Sequence, residues 1–110
     1  MLESLNQILY NLYNSPSLPF GRSTMDMIKV SASSRTAAVA GAIAGVVREF
    51  KRAEVQAIGA GAVNQAVKAL ALATGYLKND NIQIVCVPEF ADVTIDDKVR
   101  TAIKFVVEPR

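Results

Sequence analysis

Histidine and tryptophan are absent from this 110-residue chain, and cysteine occurs once, at Cys86. Without histidine, no Ser-His-Asp triad and no imidazole general base can be assembled. A zinc site takes about four ligands, usually His or Cys, and a single Cys does not supply them. No disulfide can close within the chain, which suits a reducing cytoplasm. Charge of one sign is scarce as well. Twelve Lys and Arg oppose ten Asp and Glu, a net of +2, which excludes a histone-like binder held by bulk charge alone. The uncharged, largely apolar run Thr36 to Val47 falls short of the roughly 20 residues that span a bilayer. The first residues include Glu3 but no basic region and no small-residue cleavage site, so a secretory signal is not expected.

What is there is 51% hydrophobic and 20% charged, the composition and size of one ordinary folded domain. Residues 1–24 differ in character from the rest. Leu2, Leu5, Ile8, Leu9 and Leu12 recur at spacings of three and four, the stripe of a short helix. Asn14 to Gly21 then collects Pro, Ser and Gly and reads as a linker. This N-terminal extension precedes a domain placed at 25–110.

In that domain Met27–Ser31 reads as a strand, followed by a helix that Ser33 or Ser34 caps and that ends near Lys51. Gly41 and Gly45, four apart, predict close packing of this helix on a sheet. Arg48, Lys51 and Arg52 fall at its end, where the helix dipole favours positive charge. Glu54–Ile58 is a second strand, and Gly59-Ala60-Gly61 turns the chain into a helix from Ala62 to about Leu77. Ile82–Val87 is a third strand stopped by Pro88. An acid-rich loop and a fourth strand, Val99–Val107, complete the chain. The order β-α-β-α-β-β predicts an α+β two-layer sandwich, a four-stranded mixed sheet with two helices on one face and a wide final hairpin.

Several patterns resemble chemistry without completing it. Gly59-Ala60-Gly61 has the place of a dinucleotide fingerprint, but Asn64 stands at the third glycine position and no P-loop follows. A tight turn with close backbone packing is expected there, and the helix start can offer amides to a phosphate. Glu89, Asp92, Asp96 and Asp97 lack the spacing of a calcium loop. Cys86, between Val85 and Val87, reads as an inert core thiol. No catalytic residue, metal or cofactor is expected.

In the second helix, Val63, Val67, Leu70 and Leu77 are expected to face the sheet. Leu72 falls on the opposite, polar side, with Ala69 and Tyr76 adjoining, a predicted oligomer interface. In the fourth strand Arg100, Ala102, Lys104, Val106 and Glu108 alternate against Val99, Thr101, Ile103, Phe105 and Val107. Lys29 and Gln56 suit the same polar face. Lys29, Arg35, Lys68, Arg100 and Lys104 thus form a candidate phosphate-binding surface.

Lys29–Ala32, Val39–Glu49, Ala57–Ala69 and Arg100–Arg110 together resemble the stage V sporulation protein S family, without gaps over residues 27–110. The resemblance implies an Alba-like fold, a cytoplasmic non-enzymatic regulator of bacterial sporulation or development, dimerisation, and nucleic-acid binding, DNA more than RNA. The grips it implies are the loop after the first strand (Lys29, Ser33, Ser34, Arg35), the start of the second helix (Gly59, Gly61, Asn64, Gln65, Lys68) and the hairpin (Arg100, Lys104). No membrane and no small-molecule substrate are implied. The sequence departs from the family pattern where Ser33 replaces a common Lys and Asp97 a common Gly. A protein–protein scaffold without nucleic acid is the alternative.

Overall fold

The computed structural model of the protein describes residues 27–110; the leucine stripe and the linker before it lie outside the described residues. Six elements follow in the expected order: β1 (Met27–Val30), α1 (Thr36–Phe50), β2 (Ala53–Ala57), α2 (Ala60–Lys78), β3 (Ile84–Ile95) and β4 (Lys98–Pro109). They form one mixed sheet, ordered β1-β2-β4-β3, under a layer of two helices. β1 and β2 are parallel; β4 runs antiparallel to β2 and to β3.

Alternation along each strand decides what the sheet buries. Ile28, Val30, Ala53, Val55, Ala57, Phe105 and Val107 point to the helices and close the core with Val39, Ile43, Val46, Val47, Leu70 and Leu77. The opposite face is mixed: Lys29 and Glu89 are exposed and Gln56 and Lys104 half-buried, while Ala102 on the same face is only 1% exposed. In register across it stand Lys29, Gln56, Lys104 and Glu89, one from each strand. The alternation expected of β4 is therefore the one observed.

Three expectations about the hairpin are corrected. Pro88 does not end the third strand, which runs on to Ile95. β3 is an edge strand, where a residue without an N–H is tolerated. In place of an acid-rich loop and a wide hairpin, Asp96 and Asp97 alone turn the chain, with φ of 52° and 64° between the paired Ile95 and Lys98. Those angles match the two-residue turn whose twist suits a hairpin. Cys86, paired with Val107, is exposed rather than in the core, because β3 is the last strand of the sheet among the described residues. Nearby apolar atoms still desolvate the thiol and push its pKa up.

The helices bring further corrections. Neither Ser33 nor Ser34 caps α1; Arg35 holds that position without a side-chain cap bond. Gly41 does not pack on the sheet, for it faces outward, and a Cβ added there would meet nothing within 4 Å. α2 begins two residues before the expected Ala62. Val67 is 49% exposed, and small residues, Ala62, Ala66, Ala69 and Ala73, fill the buried side together with Leu70 and Leu77. Among the described residues, no helix is long and apolar enough to cross a membrane.

Candidate nucleic-acid interface

Parallel β1 and β2 end level with one another, at Val30 and Ala57. The loop to α1 and the turn to α2 therefore leave the sheet from the same end. The β3–β4 arm projects there too, since β4 pairs with β2 only as far as Ile103 while β3–β4 pairing continues to Ile95 and Lys98. The three expected grips share one end of the molecule.

Both glycines of the second turn have a physical reason. Gly59 has φ of 93°, a backbone state that L residues rarely adopt. Gly61 makes room, because a Cβ built on it would lie 2.9 Å from Ala32 Cβ. The start of α2 is thereby seated against the loop after β1. Gln65 fastens the same junction, its Nε2 donating to the Ser34 carbonyl at 2.7 Å and to Thr36 Oγ1 at 3.2 Å.

Ser34 is 3% exposed, and its hydroxyl accepts the Ser31 amide at 2.9 Å. Its buried side chain holds the fold of the loop through this bond. Ser33 is exposed, with its hydroxyl 3.1 Å from that of Ser31. Gln65, half-buried, positions the loop through the bonds just described. Asn64 and Lys68 are exposed on α2.

Neither helix has a side-chain cap bond or an acidic residue in its first turn. First-turn amides have no partner within their own helix and carry the positive end of its dipole. Around these two starts Lys29, Arg35 and Lys68 are exposed, and no ion pair joins any of them to another described residue. Lys98 and Arg100 on the arm have none either. Lys29, Ser31, Ala32, Gln56, Ile58 and the arm residues Val93 and Ile95 line one cleft.

Lys104 stands differently. Its Nζ lies 3.9 Å from Glu54 and 3.7 Å from Glu89. Arg52 bridges Glu54 at 2.6 Å and Glu108 at 2.7 Å, and the hydrogen bond with Glu54 is the chief cause that raises its pKa. Three carboxylates against two cations make this part of the face net negative. Alternation placed Lys104 on the face; the cross-strand register added the acids beside it.

Of the expected interface residues, Ala69 is fully buried, whereas Leu72 and Tyr76 are exposed. Ala69 follows Gln65 by one turn, on the flank of α2 that meets α1, so it belongs to the core. Sequence reasoning missed Phe90, 81% exposed on the arm and the largest apolar group left uncovered there. With Pro88 and Ile103 it lines a shallow groove on the helix side of the sheet. Its neighbours concealed it, since Pro88 and the acidic residues that follow have the composition of a loop.

This is a small two-layer α+β domain with loops, helix starts and a hairpin arm gathered at one end. Residues 26–110 match the Stage V sporulation protein S (SpoVS) family. The chain belongs to that family, and it is a sporulation-related protein.

Proposed function

We infer that the protein is a non-enzymatic, dimeric regulator of bacterial sporulation that binds DNA through the end of the sheet where β1 and β2 finish. One observation carries this reading: two uncapped helix starts, free of acidic residues, lie side by side among Lys29, Arg35 and Lys68. Such an arrangement favours anions. A phosphate backbone supplies them in series, and Arg100 and Lys98 on the arm extend the positive track. Bulk charge of +2 adds little, so affinity depends on local contacts, with a dissociation constant on the order of micromolar. Lys104 contributes little to it, because Glu54 and Glu89 already oppose its charge. The helix side of the arm around Phe90 serves as the dimer contact.

A titration of duplex DNA, single-stranded DNA and RNA at two salt concentrations tests the reading. Replacing Lys29, Arg35 and Lys68 with Ala removes about three phosphate contacts per subunit. The log–log salt slope of a dimer on duplex DNA then falls by roughly 5. Lys104→Ala changes it by less than 1. Absence of binding to any nucleic acid at low salt overturns the reading and leaves the protein–protein scaffold, which the exposure of Phe90 favours.

A further inference from the structure

The cleft between the arm and the ends of β1 and β2 lies on the face of the sheet away from the helices. Lys29, Gln56 and Ile58 line it from the sheet, and Val93 and Ile95 line it from the arm. Cross-strand pairing sets Arg100 opposite Val93 and Lys98 opposite Ile95, so these two cations share the cleft side of the arm. Among the described residues no carboxylate lines the cleft. Its volume is about 350 Å³, at the small end of the range for ligand pockets.

Gln56 is the unusual member of this wall. It is half-buried, yet its side-chain amide makes no hydrogen bond to another described residue. A carboxamide carries donors and an acceptor side by side. Left unmatched in a half-buried place, it forfeits free energy that a ligand edge can return. Apolar surface adjoins it, for Ile58 and Val93 are half-buried and Ile95 is 40% exposed. An amide beside an apolar wall, flanked by unpaired cations, suits a flat heteroaromatic ring carried on a phosphate chain.

We propose that this cleft takes one unpaired nucleobase, with Gln56 bonded to the edge of the base. Ile58, Val93 and Ile95 lie against its ring, and Lys29 and Arg100 meet the flanking phosphates. Given the DNA binding inferred above, on which this rests, DNA with an unpaired base is the favoured form. A base inside a duplex is held in the stack and paired, so only one that has left the stack can enter a pocket. The glutamine amide matches the adjacent donor and acceptor of adenine, which makes an unpaired adenine the probe of choice.

Three duplexes of one sequence test this with the full chain: one perfectly paired, one with an unpaired adenine at its centre, and one with an abasic sugar there. The adenine duplex binds about tenfold more tightly than the other two. Gln56→Met keeps the length and loses the amide, and it brings the three to one affinity. Ile95→Ser, at an exposed position, narrows the same gap should the Gln56 variant misfold. Equal affinity for the adenine and perfect duplexes overturns the cleft assignment and leaves DNA binding intact. Equal affinity for the adenine and abasic duplexes overturns it too, since the protein then responds to the bend alone. A preference that survives Gln56→Met does the same. If none of the three binds at low salt, DNA binding itself fails and the cleft assignment falls with it.

Discussion

Gln65 Nε2 lies 2.7 Å from the carbonyl oxygen of Ser34, 31 residues earlier in the chain. This one amide joins the loop after β1 to the first turns of α2, and so holds Arg35 and Lys68 on the same end of the molecule. Gln65→Leu deletes the bond and leaves a half-buried carbonyl without its donor, at a cost of about 1–3 kcal/mol. Urea unfolding should show this as a lower midpoint with an unchanged slope. DNA affinity should fall as well. Its salt slope should hold, because no phosphate contact is removed. A reduced slope would show that loosening the loop also withdraws Arg35 or Lys68 from a phosphate.

Gly61 and Ala32 meet where the loop and helix touch. Gly61→Ala places a methyl 2.9 Å from Ala32 Cβ, a distance that only a backbone shift can relieve. Overpacking of this kind costs about 1–3 kcal/mol. Ala32→Gly in the same chain should return most of the loss, a coupling that a double-mutant cycle measures directly. Additive effects would mean that the strain is released elsewhere.

Asp97 sits at φ of 64° in the hairpin turn. An L residue gives up free energy in this region that glycine does not. Asp97→Gly should therefore stabilise the domain by about 1 kcal/mol, the left-handed cost to an L residue less the larger entropy that glycine loses, read as a rise in thermal midpoint. A fall would show that the Asp97 side chain holds the turn.

Phe90 is 81% exposed, so Phe90→Lys costs the monomer almost no packing. At a dimer contact the same change buries an unpaired charge, a penalty of several kcal/mol. Light scattering should report the monomer mass for this variant while circular dichroism stays that of the parent. Leu72→Glu should leave the mass of the parent. The reverse pattern would move the subunit contact to α2.

Much of the fold was legible because local periodicity reports it. The long uncharged run of α1 and the alternation of β4 need no neighbours to interpret. Breakers are less secure: Pro88 ends a strand in the interior of a sheet but not at an edge, and edge position is a property of the assembled sheet. The same holds for Val67 and Ala69. A helical projection gives their angle, but which angle meets α1 depends on how the helices pack. The candidate site divides similarly. Its basic residues and glycines are visible in the chain, whereas the carboxylates beside Lys104 come from strands β2 and β3.

The sequence by itself determined the element order, the alternation of β4, the absence of histidine chemistry and the family, since each follows from residue identity and short-range spacing. Only the tertiary structure decided that Ser34 and Gln65 fasten the loop, that Lys104 lies between Glu54 and Glu89, that Ala69 lies in the core and Phe90 in solvent. Those outcomes depend on contacts between residues up to 50 positions apart along the chain, and a burial or an ion pair exists only once both partners have been brought together.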